Sequence, residues 1–285
     1  MTYSIVAFEP ETGALGVGVQ THQPCVCSIV PWVEPCVGAI ATQSFANINF
    51  GPQGLAMLGT GLDAPRTLAA LIAGDDMPGR RQVAVIDGSG VAAVHTGDEC
   101  IPFAGHVVGT NFSTQANMMT SEGVPEAMAT AFRASSGYLA ERILAALDAG
   151  QAAGGDIRGS QSAAILVHLP GPRSATWDLR IDNSRTPLEE LRALVNVRVA
   201  AATLAAVAPD AELDELRAAF RRANALYPSD EQVFWFALNT LAARGFLDEA
   251  VSDLASLFAR APQWKELLRR LRLPGVDVVQ ARFED

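Results

Sequence analysis

Short apolar runs of strand length, broken by turn residues and separated by pairs of helical segments, set the tightest limit on how this chain folds. Tyr3 to Phe8 and Ala14 to Thr21 read as two strands joined by the turn residues Glu9-Pro10-Glu11-Thr12-Gly13. Ser28 to Val33 and Val37 to Gln43 read as a second pair around Glu34-Pro35, followed by a polar loop from Ser44 to Phe50. One helix is expected from Gly51-Pro52 to about Thr60. Another is expected from Asp63, an N-cap two residues ahead of Pro65, to near Gly74. Four more strands follow: Gln82 to Asp87, Val91 to Thr96, His106 to Gly109 and Phe112 to Gln115, the first two joined by Gly88-Ser89-Gly90. Helices from Val124 to Ala134 and from Tyr138 to Ala149, the latter stopped by Gly150, precede strands at Ser162 to His168 and Thr176 to Ile181. Thr186-Pro187-Leu188-Glu189 then caps a helix whose Leu188, Leu191, Val195, Val199 and Ala202 share one face. Strand groups alternating with helix pairs predict two packed sheets, each covered by helices on its outer face. The expected class is therefore α+β, as a four-layer αββα sandwich.

From about Ala208 the composition turns to helix formers and an internal repeat emerges. Glu215 and Glu249, Leu216 and Ala250, Phe220 and Leu254, and Pro228 and Pro262 all share the tetratricopeptide period of about 34 residues. The chain thus divides into a sandwich domain, 1–207, and a small all-α tetratricopeptide-like region, 208–285. Few repeats expose apolar surface, and Phe234, Trp235, Phe236, Leu238 and Phe246 call for a covering partner. A homodimer is the expected closed solution.

Charge and motif content narrow the function. A net charge of −10 and the lack of a basic run of the required length disfavour nucleic acid, and no such partner is expected. No apolar run reaches the ~18 residues of a membrane span and no signal peptide opens the chain, so a cytoplasmic protein is expected. There is no phosphate-binding loop, dinucleotide fingerprint, zincin motif or nucleophile elbow, and no cofactor is expected. Cys25, Cys27, Cys36 and Cys100, with His22, fit no common zinc spacing and are read as buried free thiols rather than a metal site.

The chemistry that remains is at the N-terminus. Removal of Met1 would leave Thr2 with a hydroxyl and an α-amine on one residue, a nucleophile and its general base together. A small residue after Met1 is also common in any protein. Asn117 could donate to an oxyanion or simply satisfy a strand end. Gln20 and His22 end the second strand near Thr2, with His22 able to titrate near neutrality or to serve as a turn residue. Gln43, Ser44, Asn47 and Asn49 form a polar cluster suited to substrate binding or to loop solubility. Gln161 and Arg158 lie in a polar loop, where Arg158 could hold a substrate carboxylate or pair with Asp156.

The opening MTYSIVAFEPETGALGVGVQ resembles a bacterial and archaeal family of unknown function with the fold of N-terminal-nucleophile (Ntn) hydrolases. So do Gly38-Ala39-Ile40-Ala41-Thr42-Gln43, Gln115-Ala116-Asn117-Met118, Asp156 to Ala164 and Trp177 to Asp182. The similarity covers roughly residues 2 to 200. It implies the αββα fold and Thr2 as nucleophile, but no settled reaction; the N-terminal threonine and the element order themselves point to an amide-bond hydrolase acting on an amide or peptide-like small molecule. Proteasome-type relatives in the wider superfamily place a lysine and an acidic group beside the threonine. Here the second strand ends Gly18-Val19-Gln20-Thr21, and the chain's single lysine is Lys265. A scaffold that binds a small molecule or partner without catalysis is the alternative.

Overall fold

The computed structural model describes residues 2–171 and 176–283, so Met1 lies outside the described residues. Two compact units meet at 195/196, ahead of the boundary at 207 expected from composition. The first carries all ten strands, in two antiparallel sheets. In chain order they are β1 (Thr2–Glu9), β2 (Ala14–Thr21), β3 (Pro31–Glu34), β4 (Gly38–Ser44), β5 (Arg81–Asp87), β6 (Ala92–Thr96), β7 (Gly105–Gly109), β8 (Phe112–Asn117), β9 (Ser162–His168) and β10 (Trp177–Ile181). The six-stranded sheet runs β10-β9-β2-β1-β8-β7, and the four-stranded sheet runs β3-β4-β5-β6.

Side chains alternate between the faces of a strand, and the inner faces of the two sheets share one core. Val6, Leu15, Val17 and Val19 of the larger sheet pack with Val33, Ala39, Ala41, Ala84 and Ile86 of the smaller. Each of the larger side chains contributes about 1.5–3 kcal/mol by leaving water. Helices α1 (Phe50–Gly59) and α2 (Ala64–Ala73) pack on the smaller sheet. Helices α3 (Val124–Ala134) and α4 (Leu139–Ala152) pack on the larger one. Glycine in β2 sets how near α4 comes: a Cβ on Gly18 would lie 2.2 Å from Ile143 Cγ2, and one on Gly16 would lie 2.8 Å from Ile143 Cδ1. The Asp63 cap is present, its carboxylate accepting from Arg66 N at 2.9 Å.

Three expectations are corrected. The run Ser28 to Val33 is not one strand: Val26–Ser28 is a 3₁₀ turn and β3 begins at Pro31. Cys25 sits at φ 57°, and Ile29 N and Val30 N both donate to Val26 O, which turns the chain before Pro31. Pro31 lies on a sheet edge, where its missing N–H breaks no ladder. Among the cysteines only Cys27 and Cys100 are buried, whereas Cys25 and Cys36 are exposed. Finally, Gly150 does not stop α4, which continues to Ala152. Gly150 is there for packing, since a Cβ would approach Met128 and Tyr3 to about 3 Å.

Helix α5 (Pro187–Ala205) buries Leu188, Leu191, Val195 and Val199, the face read from the sequence. In the second unit, α6 (Leu213–Leu226) and α8 (Leu247–Arg260) are both 14 residues long. They are offset by the repeat spacing at both ends, so the sequence repeat is also a structural one. Between them, α7 (Asp230–Phe236) runs into a π-helical turn at Ala237–Leu241, and Gly245 turns the chain at φ 89°. Helices α9 (Gln263–Arg270) and α10 (Val276–Gln280) follow. Phe234, Phe236 and Leu238 are buried in a cluster drawn from this unit, with Trp235 and Phe246 half-buried against it. Most of the apolar surface that called for a partner is thus covered.

Candidate active site

Thr2 opens β1, an interior strand of the larger sheet. Residues opposite one another in an antiparallel pair share a face. Thr2 pairs with Thr21 on one side and Asn117 on the other, so these three side chains point together toward the smaller sheet. Thr2 Oγ1 donates to Thr21 Oγ1 at 3.1 Å. The side chain of Thr2 lines a cavity of about 390 Å³. Its polar wall is Thr2, Thr21, Gln23, Gln43, Ser44 and Arg158. Its apolar wall is chiefly Val26, Ile29, Val30, Phe45, Ile48 and Ile101.

Beneath Thr2 lies a chain of buried amides whose direction is fixed by backbone carbonyls. Gln82 Nε2 reaches the carbonyls of Ala116 (2.9 Å) and Gly105 (3.2 Å), so it must be the donor end of that amide. Gln82 Oε1 then accepts from Gln43 Nε2 at 2.7 Å and from Asn117 Nδ2 at 2.9 Å. Both of these nitrogens also donate to the Thr2 carbonyl, at 3.2 Å and 3.3 Å. On the other side of Gln43, its Oε1 accepts from Ser4 Oγ at 2.7 Å, and Ser4 Oγ accepts from Gln115 Nε2 at 2.6 Å. Ser113 Oγ closes the run at Gln115 Oε1. Fully satisfied polar chains in a low-dielectric interior stiffen what they hold, and here they hold the backbone of Thr2. One atom stands out. Asn117 Oδ1 is buried without a hydrogen-bond partner.

Two of the three strands that supply these amides lead into a left-handed residue: Ser44 after Gln43 in β4, at φ 67°, and Met118 after Asn117 in β8, at φ 56°. Non-glycine residues rarely adopt that conformation, and such strain clusters at functional sites.

Two loops frame the cavity. In the first, Arg158 donates from Nε and Nη2 to the two oxygens of Asp156, at 3.1 Å and 2.8 Å. The Asp156 side chain is fully buried and also accepts from His22 N. In the second, Asn47 sits behind the wall made by Ser44, Phe45 and Ile48. Asn47 Nδ2 donates to Asp75 at 3.0 Å, and the same carboxylate accepts from Arg81 Nε at 2.9 Å and from Met77 N at 2.8 Å. Burial pushes the Asp75 carboxyl up, but the bonds from Arg81, Asn47 and Met77 outweigh it and hold it below the ordinary carboxylate value.

The structure therefore gathers Thr2, Gln43, Ser44 and Arg158 at one cavity and seats Asn117 beneath Thr2. It does not bring the others there. Gln20 pairs with Tyr3, so it lies on the opposite face of β1–β2, toward α4. His22 is tied through its backbone to Asp156, and its Nδ1 is buried without a partner. Gln161 bonds Asn183 at the surface. Sequence reasoning missed Gln23, the Val26 to Val30 wall, Ser4, Gln82 and Gln115. Ser4 and Gln82 carried a signal, being polar on strand faces whose other members Val6, Ala84 and Ile86 are apolar, whereas Gln115 lies in a strand, FSTQAN, that is mostly polar. Among the described residues, no cluster of three His, Cys, Asp or Glu is placed to hold a metal, and no helix is long and apolar enough to cross a membrane.

Residues 2–191 match the protein family described as "Family of unknown function (DUF1028)". The chain belongs to this family. A crystal structure of a DUF1028 protein from Silicibacter pomeroyi aligns with 68% of this chain and 84% of its own, at 34% identity and a TM-score of 0.64. Anbu (ancestral beta-subunit) from Yersinia bercovieri aligns with 74% of this chain and 100% of its own, at 10% identity and a TM-score of 0.33, a likeness too slight to inform the site. None of the curated proteins matches. The matched region holds every cavity residue named above.

Proposed function

We propose that this DUF1028 protein is an amide-bond hydrolase of the N-terminal-nucleophile type, on a four-layer αββα sandwich. Met1 is removed in the cytoplasm and Thr2 becomes the first residue. Thr2 Oγ1 attacks the substrate carbonyl carbon while its α-amine takes the hydroxyl proton. The carbon–nitrogen bond then breaks and the ammonium returns the proton to the leaving amine. Water, deprotonated by the same amine, hydrolyses the resulting ester. Asn117 and Gln43 act as positioning residues: both donate to the Thr2 carbonyl. The proposal that Asn117 itself holds the oxyanion has less support, since its Nδ2 is committed to that carbonyl and to Gln82. The helical unit, with its 34-residue repeat, is taken to be tetratricopeptide-like.

The observation that carries this reading is that Thr2, the residue a single trimming step would expose, lines a cavity and is held by a buried amide chain. Activity of the full chain against N-acyl amino acids tests it. Thr2→Ser keeps turnover and Thr2→Ala loses about a hundredfold or more. Equal turnover by Thr2→Ala overturns it. One observation favours a second reading, ligand binding without turnover: no lysine and no acidic residue is among the described residues lining the cavity, whereas proteasome-type enzymes place both beside the threonine. That reading predicts binding by both variants and hydrolysis by neither.

A further inference from the structure

We infer that the Thr2 cavity takes amides bearing a free carboxylate and an uncharged apolar group, of which N-acyl amino acids are the simplest; the inference rests on the proposed role of Thr2. Among the described residues lining the cavity, Arg158 is the one ionic side chain and none is acidic. Its counter-charge is the Asp156 carboxylate, fully buried, while the Arg158 side chain is 29% exposed. Asp156 binds two nitrogens of the guanidinium and so fixes the plane that a carboxylate would meet. The pair is close to neutral overall, so a carboxylate is drawn by the guanidinium N–H groups at the cavity wall, 29% exposed and open to screening by salt, rather than by an unopposed charge.

The rest of the wall defines the other half of the substrate. Val26, Ile29, Val30, Phe45, Ile48 and Ile101 line it, and none of the described lining residues is an acid that would pair a buried cation. Phe45 and Ile48 are 51% and 46% exposed, which leaves apolar surface at the rim for an acyl or side-chain group to cover. The volume of about 390 Å³ lies near the low end for small-molecule sites and suits one amino acid with a short acyl group. With the carboxylate at Arg158 and the carbonyl at Thr2, the leaving group is the amino acid. The Oγ–acyl bond forms as the carbon–nitrogen bond breaks, the α-ammonium supplies the proton to the departing amine, and water releases the acyl group as a carboxylic acid.

Binding to full-length Thr2→Ala protein reads this class without turnover. By calorimetry, N-acetyl-L-leucine should bind about tenfold or more tightly than the neutral N-acetyl-L-leucinamide, and N-acetylglycine should bind more weakly than the leucine compound. Removing the cation together with its buried partner, in Asp156→Asn/Arg158→Met, should bring the acid and the amide to equal affinity. Should that variant not fold, 1 M KCl, with a Debye length of about 3 Å, must narrow the preference of the Thr2→Ala protein. Equal affinity for the two leucine compounds, failure of both to bind, or a preference unmoved by variant or salt overturns the inference. The two proposals fail separately. A carboxylate preference without turnover in the parent protein keeps the ligand class and sinks catalysis by Thr2, whereas Thr2-dependent turnover of acid and amide at equal kcat/KM does the reverse.

Discussion

The space between the two sheets is filled in two different ways. Along β1, β4 and β5 the inward positions Val6, Ala39, Ala41, Ala84 and Ile86 are apolar, and the same face then turns polar at Thr2, Ser4, Gln43 and Gln82. The apolar part is held by non-directional burial, so losing volume there costs stability in proportion and displaces little. The amide part is directional. Each member supplies a donor or acceptor that another needs, so no member can be lost alone. The contrast teaches what each part is for: one stabilises the sandwich, and the other fixes the position of Thr2.

Gln82→Leu should break this contrast most severely. It strips the acceptor from Gln43 and Asn117 and the donor from two buried carbonyls, at a cost of about 4 kcal/mol in urea unfolding. Turnover should fall with it, even in the fraction that stays folded. In the apolar part, Ile86→Ala should cost about 3 kcal/mol while leaving kcat of the folded protein near the parental value. A large kcat loss in that variant would show that the two parts are not separable.

Asp75→Asn is expected to cost about 2 kcal/mol, since Arg81 keeps its bond to the Phe45 carbonyl but loses its buried counter-charge. Because the Asp75 carboxyl is held below its ordinary value, its stabilising contribution is complete above about pH 4 and fades as pH falls toward the depressed folded value. Denaturation measured from pH 7 down to pH 3 should therefore show the parent and Asp75→Asn converging only on the acid side. Ser4→Ala is the smallest change. It should cost about 1 kcal/mol by orphaning Gln43 Oε1, with a modest loss of turnover.

Periodicity made most strands and helices legible in the sequence, and an N-terminal threonine opening the first strand pointed at the site. What stayed hidden has physical causes. Gln82 follows Arg81 and Gln115 follows Thr114, so both read as solvent-facing strand residues in the sequence. Alternation alone does not tell which face is covered when both are buried. The same ambiguity put Gln20 beside Thr2, although its pairing with Tyr3 sends it to the helix side. Ile29 and Val30 of the cavity wall read as strand because they are β-branched, and the left-handed Cys25 that turns the chain leaves no composition signal. The π-helical turn at Ala237–Leu241 likewise lies inside a run that reads as ordinary helix.

The central claim is that the α-amine of Thr2 is the base, and it is tested most directly by the intact mass of a preparation that turns over an N-acyl amino acid. The account predicts a mass lacking Met1, with activity rising in proportion to the trimmed fraction. Full activity in protein that retains Met1 would contradict it, because the amide nitrogen of Thr2 could not then accept the proton.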